Sequence, residues 1–174
     1  MELPTMKSVG KIICCSILGV VALSMTAKAS AQSDDDKKFL ANAAQSDVNE
    51  IKLSQLAEEK ATNPAVKAFA QKMVAEHNKM SMSMQPFAAS WGVTPPTDMD
   101  ADHQKKYDKL NGLSSGDFDK EYIDQMVSDH AKALDAFTSE AKDTKDTKFR
   151  AAVLKGKTMV AAHKNMAYDL KKKL

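Results

Sequence analysis

PAVKAFAQKMVAEHNKMSMSMQPFAASWG, residues 64–92, carries Val66, Ala70, Met73, His77, Met80, Met84, Phe87 and Trp91 at alternating steps of four and three. That spacing lays one continuous stripe along an α-helix and makes the seam by which helices pack into bundles. Pro64 suits the first helical position and Gly92 the residue just past the end. Pro86 falls inside the run and predicts a kink or a separate last turn. A polar imidazole, His77, stands in the middle of an otherwise apolar seam.

The flanking segments repeat the pattern. Upstream, Asp34-Asp35-Asp36 offers capping carboxylates, and Phe39, Ala43, Glu50, Leu53 and Ala57 share one face as far as Thr62-Asn63-Pro64. Downstream, Gly92 to Gly116 shifts to Pro95-Pro96, Thr, Asp and Gly, with a short helix predicted around Asp100 to Leu110. Asp117, within Asp117-Phe118-Asp119 read as capping, starts a third long helix striped by Ile123, Met126, His130, Leu134, Phe137 and Ala141. Asp143 to Thr147 makes a short connection to a fourth, striped by Phe149, Val153, Gly156, Val160, His163, Ala167, Leu170 and Leu174. No alternating run competes for strand. Short, long and short connections predict an all-α, ferritin-like antiparallel four-helix bundle with one long crossover between helices 2 and 3 carrying a short extra helix. The halves also resemble each other: Asp36-Lys37-Lys38-Phe39-Leu40 matches Asp119-Lys120-Glu121-Tyr122-Ile123, and Met73 to Met80 matches Met159 to Met166.

Residues 1–31 read as a secretory signal peptide. Lys7 and Lys11 precede an apolar run from Ile12 to Met25, followed by Ala27-Lys28-Ala29 and Ala29-Ser30-Ala31 as candidate cleavage sites. Residues 32–174 are then the bundle domain, with a periplasmic or secreted location and no transmembrane segment in the mature chain. Both cysteines, Cys14 and Cys15, leave with the leader, so the mature chain has neither disulfide nor thiolate. The leader also takes three of the 25 basic residues and one of the 23 acidic ones, which brings the remainder into balance. A balanced chain lacks the clustered basic excess of a nucleic-acid-binding protein. Lys171-Lys172-Lys173 fits a helix C-terminus.

The chemistry-bearing feature is Met-Val-x-x-His, present at Met73 to His77, Met126 to His130 and Met159 to His163. Counting equal distances from the turn at Asn63 sets His77 level with residue 49, beside Glu50, and the same count from Lys145 sets His163 level with residue 127, within one turn of His130. Glu50, His77, His130 and His163, one from each long helix, thus converge as candidate ligands of one divalent transition metal such as zinc, iron or copper. A di-iron centre needs Glu-x-x-His on two helices, and the residue three before each histidine is valine. The competing reading is a structural polar network, in which Glu50 simply satisfies the histidines. Methionine four before each histidine, and Met80-Ser81-Met82-Ser83-Met84, suit soft metals but serve equally as adaptable core filler, with Met82 expected at the surface. His103 is expected to be solvated in the crossover. No nucleophile motif, phosphate loop or catalytic carboxylate pair supports an enzyme.

The blocks Asn49 to Ala57, Ala65 to His77 and Phe118 to Tyr122, with His130 and His163, resemble a large bacterial family of secreted, ferritin-like proteins of unknown function across about residues 35–170. The resemblance implies an exported four-helix domain, with a glutamate at Glu50 and histidines at His77, His130 and His163 as a shared site. Ser54 stands where that family often has glycine, a packing detail that leaves the ligand set unchanged. Two functions follow as expectations: metal handling or stress defence through the Glu/His cluster, or a non-catalytic envelope protein whose outer face binds a partner. The leader reading has its own check. Intact-mass measurement of the exported protein is expected to give a chain starting at Ser30 or Gln32, and a mass that retains the apolar segment would contradict it.

Overall fold

The computed structural model describes residues 33–174; the leader and its cleavage sites lie outside them. Four long helices and one short one account for the described residues: α1 Asp34–Lys60, α2 Pro64–Trp91, α3 Ala101–Gly112, α4 Ser115–Asp143 and α5 Thr147–Lys171. No strand occurs among the described residues, and none of their helices is long and apolar enough to cross a membrane.

The helix ends follow their capping chemistry, with three differences from expectation. Ser33, not an aspartate, caps α1 by accepting from the Asp36 amide at 3.0 Å. The aspartates fill the first turn, where the helix dipole favours them. Asn63 caps α2 with Pro64 at its first position, and Gly92 ends it in the left-handed conformation at φ 68°. Between these caps α2 runs unbroken through Pro86, without a separate last turn. The Met82 carbonyl that proline deprives of a partner belongs to a residue 70% exposed, so water can satisfy it. Asp100 caps α3 and Asp146 caps α5, each through two backbone amides. At α4 the helix begins at Ser115, itself at φ 50°, and no side chain caps it.

Asp119 acts outside its own helix. It is buried, and its carboxylate crosses to the α1–α2 turn, accepting from Asn63 N at 2.8 Å, Thr62 Oγ1 at 2.8 Å and Thr62 N at 3.2 Å. A buried carboxylate is tolerated because three donors replace its water. The contact fixes the start of α4 beside the end of α1, so these helices run antiparallel. Phe39 against Phe137 repeats that pairing at the other end. Phe87 and Trp91 against Phe149 make α2 and α5 antiparallel neighbours as well. The order around the bundle is therefore α1, α2, α5, α4, with the crossover returning along the length of the bundle and α3 packing on α1 and α4.

The core is divided. One apolar cluster holds Leu53, Leu56, Phe69, Met73, Phe118, Tyr122, Ile123 and Met126. The other holds Leu40, Met80, Met84, Phe137, Phe149, Val153 and Val160. Between them each long helix presents a buried ionisable residue: Glu50, His77, His130 and His163. Ser54 belongs to the first cluster's wall, where its Oγ meets the buried Tyr122 hydroxyl at 2.8 Å. Gly156 belongs to the second, since any Cβ there would strike the Phe137 ring and crowd Met80 Sδ. Replacing Asp119 by alanine leaves the Thr62 and Asn63 donors without their acceptor. Urea unfolding is expected to show a loss of about 1–3 kcal/mol, and an unchanged midpoint would contradict the assigned tie.

Candidate metal centre

His77, His130 and His163 meet at mid-bundle, each offering one ring nitrogen so that all three lie within 4.8 Å of one another. The rings stand 5.2 to 5.5 Å apart between centroids and are almost fully buried. His77 Nε2 and His130 Nε2 stand 3.4 Å apart.

What organises the group is the other nitrogen of each ring. His77 Nδ1–H donates to Asp47 Oδ1 at 2.8 Å, His130 Nδ1–H to the Met126 carbonyl at 2.9 Å, and His163 Nε2–H to Glu76 Oε2 at 2.6 Å. In a neutral imidazole one donating nitrogen makes its opposite an acceptor. The three outer hydrogen bonds therefore leave His77 Nε2, His130 Nε2 and His163 Nδ1 as the lone pairs. His163 Nδ1 is buried and has no hydrogen-bond partner. Outer acceptors of this kind, carboxylate or carbonyl, are what fix tautomer and ring orientation in metal-bound histidine. Nitrogens about 2.0–2.1 Å from a tetrahedral ion stand about 3.4 Å apart, which matches the His77–His130 spacing.

Glu50 lies beside the group without joining it. Its side chain lines a chamber of about 10 Å³ together with His77, His130, Asp47 and Met80, and its buried Oε2 has no partner. Burial pushes its carboxyl up to about 7; Asp129 adds to the rise, while His77, His103 and Lys106 oppose it. The histidines divide. Burial, then the charges of His77 and His163, drives His130 down to about 3. Burial drives His163 down to about 4 against the pull of Glu76. At His77 burial also acts downward, but the Asp47 hydrogen bond and the charges of Glu50, Asp47 and Glu76 outweigh it and raise the ring above its usual value. Of the three rings, His77 is thus the one whose surroundings favour protonation, and its Nε2 faces His130 Nε2.

Two carboxylates at the centre were not expected. Glu76 adjoins His77 in sequence but serves His163 on α5, held ionised by Lys72 at 2.6 Å. Asp47 sits one turn before Glu50 on the same face, which is the signal that finds it. His103 differs from expectation: rather than being solvated, it is held by Asp100 at 2.9 Å and Asn49 at 3.0 Å, with Asp129 at 3.4 Å. The Asp129 contact, set against partial burial, raises its pKa. This network ties α3 to α1 and α4 outside the three-histidine group. Met82 is exposed, as expected.

Fold and site together define a small all-helical bundle with a buried three-imidazole centre. Residues 22–170 match the family model described as "Domain of unknown function (DUF4142)", and the chain belongs to that family. Among solved structures it is similar to a DUF305 fragment from Deinococcus radiodurans, at 11% identity and TM-score 0.73, over 82% of this chain and 99% of that one. It is also similar to CopM in Cu(II)-bound form, at 19% identity and TM-score 0.68, and in Cu(I)-bound form, at 18% and 0.67, each over 79% of this chain and 96% of that one. At these identities the likeness is one of fold. No curated protein matches the chain.

His130 stays neutral where an unfolded histidine is charged, so the unfolded state binds the extra proton as pH falls from 6.5 toward 3. Its contribution is therefore present above pH 6.5 and lost on acidification. The stability margin of the metal-free parent over His130→Gln is expected to shrink by up to about 1.4 kcal/mol per pH unit across that window. A margin independent of pH would contradict the neutral assignment.

Proposed function

We propose that this protein is an exported metal-handling protein that holds one transition-metal ion, copper before zinc or iron, on His77, His130 and His163. The observation that carries the reading is the convergence of three buried imidazole lone pairs, each oriented by an outer acceptor. A purely structural network would be expected to close on itself, and the unpartnered His163 Nδ1 and Glu50 Oε2 argue against that. The residues fit a metal on the same ground, since burying such atoms without a partner costs about 1–3 kcal/mol. Glu50 completes the proposed set from across the chamber, its carboxylate offsetting the charge of a bound cation. Bound metal would supply a positive centre on the three inward lone pairs, in competition with protonation of those rings.

Copper is placed first on two supports. Imidazole with a nearby thioether, here Met80 in the chamber wall, suits copper better than the hard divalent ions. The similar CopM structures are described as Cu(I)-, Cu(II)- and Ag-bound. The single-crossover helix order supports the ferritin-like label, and the leader reading supports a periplasmic or secreted location. The envelope-protein alternative shares the fold but leaves the cluster as a metal-free polar network and puts the function on an outer face that binds a partner.

Equilibrium loading with copper separates these readings. The parent is expected to bind one equivalent and to gain about 2.7 kcal/mol of stability at a free metal concentration a hundredfold above Kd. His77→Ala, His130→Ala and His163→Ala should each lose most of that gain while remaining folded. Equal loading of parent and variants, or no loading of the parent, would overturn the proposal.

A further inference from the structure

Each approach to the buried histidines ends in a different place. A cleft of about 180 Å³ between α1 and α2, lined by Ser81, Met82 and Gln85, reaches Asp47 and stops behind the donating nitrogen of His77. On the α2–α5 face, Glu76 covers the donating nitrogen of His163. Both end at a nitrogen already engaged, on the outer side of its ring.

The third approach differs. A cleft of about 840 Å³ opens between α1, α3 and α4, with Asp100, Asp102, His103, Lys106, Asp129 and Lys132 on its walls. Ala43, Ser46, Ala133 and Phe137 line both this cleft and the chamber that touches Glu50, His77 and His130. Three of those four side chains are among the smallest, and Ser46 and Ala133 are only partly buried. The partition between solvent and the chamber lined by Glu50, His77 and His130 is therefore one thin layer. Ser46 lies one turn before Glu50, and Ala133 just under one turn after His130, so the helices that supply the centre also supply its thin wall. Asp129 is paired with Lys106 within the cleft, and the exposed Asp102 at the mouth is an acidic group that an entering cation meets.

The geometry points to the α1–α3–α4 cleft as the uptake route of the metal, with Ser46 and Ala133 as the constriction through which an ion passes to Glu50 and the histidines. This rests on the metal-binding reading above, and it concerns rate where that reading concerns equilibrium. A constriction changes the barrier for passage both ways and leaves the affinity alone.

The test is stopped-flow transfer of Cu(II) from a weak chromogenic chelator to the full mature protein, and back to a strong one. Ser46→Leu and Ala133→Leu are each expected to slow uptake and release together by about tenfold, about 1.4 kcal/mol of barrier, with stoichiometry and Kd unchanged. Ser81→Leu, in the α1–α2 cleft, should leave both rates alone. The exposed Asp102 probes the mouth without touching the core, so Asp102→Lys keeps the route testable even where a leucine variant misfolds. That variant should slow uptake at low salt, with the difference vanishing at high salt. Unslowed transfer in the leucine and Asp102 variants that still bind copper, or slowing by Ser81→Leu instead, would overturn the route while the centre stands. A parent that takes up no copper would overturn both.

Discussion

A layer of ionisable side chains in the middle of a helical core is tolerable only when each has somewhere to put its proton, and that constraint shapes the whole bundle. Asp47, Glu76 and the Met126 carbonyl each take one ring N–H, which removes the largest cost of burying three imidazoles. The same bonds decide which nitrogens remain free and turn them inward. Apolar packing then builds from this layer in both directions, and the two core clusters are its consequence. Were the outer acceptors absent, the rings would have no fixed tautomer and the centre no defined donor set.

The bundle itself was legible because its information is local. Steps of four and three, a proline at a helix start and a glycine at an end fix elements without knowledge of neighbours, and α2, α4 and α5 carry their seams as read. The histidines were legible for the same reason: they interrupt those seams, and counting from two short turns sets their depth. Glu50 was found by that count and does lie at the same level, lining the chamber with His77 and His130.

What escaped is what depends on direction across helices. Glu76 and His77 are consecutive, so they point to different faces; only the placement of α5 shows that Glu76 meets His163. Asp119 read as part of a cap for its own helix, whereas its buried carboxylate caps a turn 56 residues away in sequence. His103 read as a solvated loop residue because its partners, Asn49 and Asp129, come from two other helices. Ser54 read as a packing variant, but its hydroxyl meets the Tyr122 hydroxyl. In each case sequence showed the residue type and the fold supplied the partner.

The central claim is that three imidazoles share one ion. X-ray absorption at the copper edge of protein loaded with one equivalent addresses it directly, because imidazole rings give a distinct multiple-scattering pattern and sulfur a longer shell than nitrogen. Three imidazole nitrogens at about 2.0 Å are expected, falling to two in His163→Ala. A first shell with one imidazole or none, or one made of thioether sulfur and solvent alone, would contradict it.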